Sequence, residues 1–259
     1  MPEAEEPLSG GNVSSGVVRV GGTVRKPASP ASPAVEALLS HLESVGFDGA
    51  PRALGYDSDG RQVLEYIDGP IAHTLPPLGR PELRRAGALI RDLHQACASF
   101  RAPVDAGWQV LLPADREELI CHHDLAPWNL VLARDRWVFI DWDGAGPSTR
   151  LWDLGYAAHG FVGMAAGNDP QRDAPRLAAF ADGYGLGAQE RVRFPDQIEG
   201  HTRAMYRLLC DGAATGQQPW ARLHAEGHAD HWGPAADYIG RHRQIWLAAI
   251  TAQDDRLTR

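Results

Sequence analysis

The chain has 259 residues, 44% hydrophobic and 22% charged, with a formal net charge of −8. That is enough length for one large domain or two small lobes with a real core. The acidic balance argues against a dedicated nucleic-acid binder, which would show a basic face. Cys97, Cys121 and Cys210 are far apart and form no CxxC pair, so the expectation is reduced thiols rather than a disulfide framework or zinc knuckle. The opening "MPEAEEPLSGG" is acidic and has no apolar core, and no run reaches membrane-span length. The expectation is a cytoplasmic protein, with neither a nucleic-acid nor a membrane partner.

Residues 1–7 read as a loose tail. In 8–28, Val17, Val18, Val20 and Val24 are β-branched and Gly21-Gly22 sits between them as a turn. This predicts a strand, a glycine-rich loop, a strand, a turn and a further strand. Val35, Leu38, Leu39, Leu42 and Val45 recur at helical spacing over 32–47. Residues 52–69 predict two strands around Asp57-Ser58-Asp59-Gly60. Gly69-Pro70 breaks the pattern. Helical periodicity follows at 81–100, 151–167, 174–184, 196–215 and about 234–253. The composition shift near 68 predicts a sheet-rich lobe, 1–68, and a larger helical lobe, 69–259.

One segment interrupts the helices: "CHHDLAPWNLVLARDRWVFIDWD", 121–143. Leu130–Ala133 and Trp137–Ile140 are apolar strands, and Arg134-Asp135-Arg136 turns between them. A hairpin there returns Asp141 close to Asn129. The strands are a mount, and the polar residues at their ends face one ion site. Phosphoryl transfer needs that inventory: positioning, charge neutralisation, and hard oxygen ligands for magnesium. The spacing His122-x-Asp124-x-x-x-x-Asn129, followed by Asp141, matches the kinase signature H-R-D-L-x-x-x-N with its later metal aspartate. In those roles Asp124 is the catalytic base, Asn129 and Asp141 hold Mg2+, and His122 braces the catalytic loop. Any one of these residues alone would read as a turn residue; the conjunction points to the site.

The chain resembles the aminoglycoside phosphotransferase family, whose kinase-like fold is shared with choline kinases. "DLAPWN" and "LWDLGYAA" (151–158) carry the resemblance, with His123 in place of the kinase arginine and Trp142 after the metal aspartate. It implies an α+β, bilobal protein-kinase-like fold. The N-lobe would be a small antiparallel sheet with one helix, and the C-lobe mostly helical with the catalytic hairpin. It also implies a structural role for Asp153, accepting hydrogen bonds from the catalytic loop. The activity implied is transfer of the ATP γ-phosphate to a small-molecule hydroxyl on an aminoglycoside, amino alcohol or sugar-like acceptor. The alternative is a catalytically silent kinase-like protein that binds nucleotide or a metabolite.

At the nucleotide end, "LSGGNVSSGVVRV" has neither a Rossmann nor a Walker pattern. Backbone N–H groups around Gly11 and the hydroxyls of Ser14 and Ser15 could cover phosphates, though a plain β-turn would read the same. "TVRKP" offers Arg25 and Lys26, which point to opposite faces of a strand, so only one can reach phosphate. The family pattern favours Arg25, with Glu36 as its partner; a surface ion pair is the bland alternative. The backbone of Glu65–Ile67 would contact adenine. In the C-terminal region, Trp220, Trp232, Tyr238, His242 and Trp246 suit a packed or substrate-facing aromatic wall. His224, His228 and His231 would share a face if one helix carried them, but Ala225 and Gly227 weaken a metal reading.

Overall fold

A computed structural model describes the chain over residues 4–8 and 16–252. Its residues group into two compact units, Met1–Pro76 with Asp92–Arg150, and Pro77–Arg91 with Leu151–Arg259.

The first unit begins with strands β1 (Glu5–Pro7), β2 (Val18–Val20) and β3 (Thr23–Lys26), then helix α1 (Ser32–Ser44), then β4 (Ala53–Tyr56) and β5 (Gln62–Glu65). They form a five-stranded antiparallel sheet in the order β1-β2-β3-β5-β4. The strand-turn-strand and helix follow the sequence reading. The exception is the tail: Glu5–Pro7 pairs with Val18–Val20 as an edge strand, because the register Glu5↔Val20 to Pro7↔Val18 satisfies its backbone groups. Pro7 is tolerated there because an edge strand leaves one row of N–H groups unneeded. Helix α1 buries Val35, Leu38, Leu39 and Leu42 of the predicted stripe, with Ala34, whereas Val45 falls at the C-cap and is exposed.

Helix α2 (Arg80–Cys97) divides between the two units at residue 91. The first unit then adds β6 (Leu119–Cys121), the hairpin β7 (Leu130–Leu132) and β8 (Trp137–Phe139), and β9 (Gly146–Ser148), which pairs antiparallel with β6. The β6–β9 pair had no signal in the sequence, since three-residue strands show no usable alternation. Ile67 packs with Val131 and Val138, joined by Ile71, Ala133 and Ile140. Thus the segment after β5 is seated on the hairpin. Gly69 is required there: a Cβ would lie 2.9 Å from the Leu132 carbonyl oxygen and 3.0 Å from Ala133.

The second unit is helical: α3 (Arg150–Val162), α4 (Pro170–Tyr184), α5 (Ala188–Thr215), α6 (Trp220–Ala225), α7 (His228–Arg241) and α8 (Arg243–Thr251). Helix α5 starts eight residues before its predicted onset and carries Pro195 inside it. The single helix expected near 234–253 is two, parted at His242. Gly87 of α2 and Gly183 of α4 let the two backbones touch, since a Cβ on either would overlap the opposite main chain. Asp173 is the buried polar knot of this unit. Its Oδ2 accepts from the Tyr238 hydroxyl at 3.0 Å and from the Asn168 amide at 2.9 Å.

Among the described residues, no helix is long and apolar enough to cross a membrane. Among the described residues the cysteines form no disulfide, and Cys97 and Cys121 are buried.

Candidate active site

The catalytic segment lies wholly in the first unit. Strand β6 delivers His122, His123 and Asp124 into a loop, and the 3-10 turn Pro127–Asn129 leads into β7. Asn129 is buried, and its amide nitrogen donates to the Asp124 Oδ2 at 2.7 Å and to the Asp124 carbonyl at 3.0 Å. The amide is thereby oriented, leaving its Oδ1 as an acceptor for a cation. At the other end of the hairpin, the Ile140 N–H donates to the Asn129 carbonyl at 2.8 Å. Asn129 and Asp141 therefore leave the hairpin side by side, as the strand arithmetic predicted.

His122 is fully buried and locks the two halves together. Its Nδ1 accepts from the Asp124 N–H at 3.2 Å, so its proton sits on Nε2, which donates to the Ile140 carbonyl at 3.1 Å. The ring lies 4.5 Å from that of Trp142. Its position is that of a brace rather than of a proton carrier. Among the described residues, the non-glycine residues with positive φ are His123 at 67° and Asp141 at 61°. Such backbone costs on the order of 1–3 kcal/mol and persists only where packing over-determines it. Here His123 is held by the Pro147 carbonyl at 3.3 Å. The turn after Asp141 is held by Trp142, whose Nε1 donates to the Phe139 carbonyl at 2.9 Å.

Register decides which basic residue of β3 faces this loop. Lys26 stands opposite Gln62, and both side chains are buried on one face of the sheet. The Lys26 ammonium pairs with Asp143 and lies 3.8 Å from Asp141. Arg25 points the other way and pairs with Asp57 at 3.3 Å. Glu36 accepts a hydrogen bond from the Tyr56 hydroxyl, whose pKa is raised by burial and by that carboxylate. The expected Arg25–Glu36 pair is therefore replaced by a Lys26 contact to the hairpin end. The sequence offered both Arg25 and Lys26 and favoured Arg25, because strand parity is undefined until the register is known, and it gave Asp143 no role.

Burial pushes the Asp141 carboxyl up; Lys26 pulls it down, and the neighbouring Asp143 charge pushes it up again. Asp141 and Asp143 are two carboxylates for one ammonium, a local excess of negative charge. The hard oxygens available at this end of the hairpin are the Asn129 amide oxygen and the Asp141 carboxylate. That set fits Mg2+, which takes one or two carboxylates and completes its shell with water and phosphate oxygens.

Gly11, Ser14 and Ser15 lie outside the described residues. Glu65 pairs with Arg136 at 2.7 Å and accepts from the Arg52 N–H at 3.2 Å, while Ile67 is buried on the hairpin. In the second unit, Asp153 is buried within α3. Gly227, at φ 89°, separates His224 in α6 from His228 and His231 in α7, so the three share no helix face. Trp220, Trp232, Tyr238 and Trp246 are core residues, so the packed reading of the aromatic wall holds in place of the substrate-facing one.

The sequence and the fold agree on the class. A model of the phosphotransferase enzyme family matches residues 98–195. The trifolitoxin immunity protein of Rhizobium leguminosarum bv. trifolii is 33% identical over 210 residues, covering 74% of this chain and 78% of that one. A choline/ethanolamine kinase family protein from Mesorhizobium loti shares the fold at a TM-score of 0.59 and 18% identity, over 95% of this chain and 92% of that one. A microcompartment-associated aminopropanol kinase does so at 0.61 and 15%, over 90% of each chain. An amicoumacin kinase, solved with AMP-PNP, Ca2+ and Ami, does so at 0.63 and 11%, over 98% and 92%. The fold is that of protein-kinase-like phosphotransferases, and the chain belongs to the phosphotransferase enzyme family.

Proposed function

We propose that the protein transfers the γ-phosphate of ATP to the hydroxyl of an amine-bearing small molecule. The observation that carries this is the Asp124–Asn129–Asp141 arrangement around the mouth of one hairpin, with the Lys26 ammonium beside it. Asp124 orients the acceptor hydroxyl and takes its proton as the oxygen attacks phosphorus. Asn129 holds the carboxylate in place for this through its Oδ2. Asn129 and Asp141 hold Mg2+, which when bound neutralises phosphate charge. Lys26, rather than the expected Arg25, holds the phosphates. The backbone of Glu65–Ile67 receives adenine, and its seat on Val131 and Val138 fixes the distance from adenine to the hairpin end. In this reading 1–68 is the nucleotide lobe and 69–259 the catalytic and acceptor lobe.

An amino alcohol or aminoglycoside-like acceptor suits the net charge of −8. It also agrees with the named ethanolamine and aminopropanol substrates of the structural neighbours. A second reading is a catalytically silent protein that binds nucleotide or a metabolite without transferring phosphate; the relative's name denotes immunity and names no transferred group. Incubation with ATP, Mg2+ and a panel of amino alcohols, aminoglycosides and peptide antibiotics separates the two. Phosphate found on an acceptor by mass spectrometry supports transfer. Acceptor binding with no ADP formed supports the silent reading.

A further inference from the structure

A kinase-like site needs its phosphate-binding lysine held in place, and the usual holder is a carboxylate on the helix that follows the lysine strand. In this chain that helix is α1 and its carboxylate is Glu36. Three pairings take the arrangement apart. Arg25 is engaged by Asp57, Glu36 by Tyr56, and Lys26 by Asp143. The register explains why Glu36 stays away. Lys26, Gln62 and Tyr56 stand in one row across β3, β5 and β4, because Lys26 pairs with Gln62 and Gln62 with Tyr56. Glu36 sits at the Tyr56 end of that row. The Gln62 side chain, buried and with neither polar atom of its amide partnered, fills the position between. Asp143 reaches Lys26 out of the 3-10 turn Trp142–Gly144, which packs against α1.

We propose that Asp143 is the positioning residue for Lys26, taking the part that the helix carboxylate plays elsewhere. The inference rests on the kinase reading above. The spacing Asp141-Trp142-Asp143 serves it. In the short turn that follows a left-handed Asp141, the two carboxylates come to the same ammonium while the indole between them is buried. One aspartate is then turned to the cation site and the next one holds the lysine. The consequence is specific to this chain: loss of Asp143 disorders the phosphate contact, whereas loss of Glu36 acts only through Tyr56.

Calorimetric titration of Mg-ATP onto the full chain tests this without knowledge of the acceptor. A lost charge-assisted contact is expected to weaken D143N about tenfold. D143E should recover most of the affinity, and E36Q should lose less than D143N. In the double variant with K26M, D143N should add nothing, the non-additivity of residues that act as a pair. A larger loss for E36Q than for D143N, or additive losses in the K26M background, overturns the assignment. So does a raised Mg2+ requirement in D143N without loss of ATP affinity, which would make Asp143 a metal ligand. Wild-type protein that takes up no Mg-ATP would refute the kinase reading itself. Wild-type binding matched by D143N would refute this inference alone.

Discussion

Asn129 grips Asp124 twice, through its carbonyl at 3.0 Å and through its Oδ2 at 2.7 Å. One amide thus fixes the backbone of the catalytic loop and the rotamer of the proposed base. Removing the base should cost the proton transfer and the alignment of the hydroxyl. Asp124→Ala is expected to lower kcat at least about 100-fold, with Mg-ATP affinity within a few-fold of wild type. The check is single-turnover ADP formation beside a binding titration. Substantial residual turnover would remove Asp124 from its role.

Lys26 and Arg25 are neighbours in sequence and opposites in space. Lys26→Met should weaken Mg-ATP binding about tenfold or more, because a buried ammonium beside the phosphates is lost. Arg25→Met removes a pair with Asp57 that faces away from the hairpin end, so Mg-ATP affinity should stay within about threefold of wild type. Binding titrations of the two variants should therefore differ clearly, and equal losses would count against the assignment.

His159 gives the second unit a pH signature. Burial, with His231 and His201 nearby, lowers its pKa from the ordinary 6.5 to about 3. The folded state therefore refuses a proton that the unfolded state accepts. Stability is full above pH 6.5 and falls as pH drops through the window from there to about 3, by about 1.4 kcal/mol per unit for this group. At pH 5 the loss is about 2 kcal/mol. Urea unfolding at pH 7 and pH 5 measures it, and His159→Gln should flatten the difference. An unchanged pH slope in that variant would refute the assignment.

Gly183 packs its Cα face against the Arg84 main chain, where a methyl group has no room. Gly183→Ala should destabilise the protein by about 1–3 kcal/mol through forced separation of α2 and α4. Gly163→Ala probes a different cost. Nothing lies within 4 Å of its Cβ position, and the strain comes only from its φ of 74°. Thermal unfolding should rank Gly183→Ala as the worse of the two.

What was readable in the sequence is what depends on local spacing. The His122–Asp124–Asn129 spacing survives into the structure because one loop and one turn carry it. Asp141 joins it because a hairpin of six paired residues has only one way to close. The α1 stripe and the Gly21-Gly22 turn were legible for the same reason. The choice between Arg25 and Lys26 was not local: it needs the pairing of β3 with β5, set by residues some 40 positions away. Glu5–Pro7 carried no strand signal, since an exposed edge strand needs no apolar alternation. The C-terminal histidines looked like one face until Gly227 turned the chain. The aromatic residues around them gave no sign of direction, because core and ligand walls use the same side chains.

The most direct test of the metal-nucleotide pocket is a calorimetric titration of ATP with and without Mg2+, on the wild type and on Asp141→Asn. Wild-type affinity should depend on Mg2+, and the variant should lose about tenfold or more of the Mg2+-supported affinity. Equal ATP affinity with and without Mg2+ in the wild type, or an Asp141→Asn protein that keeps the full metal effect, would contradict the account.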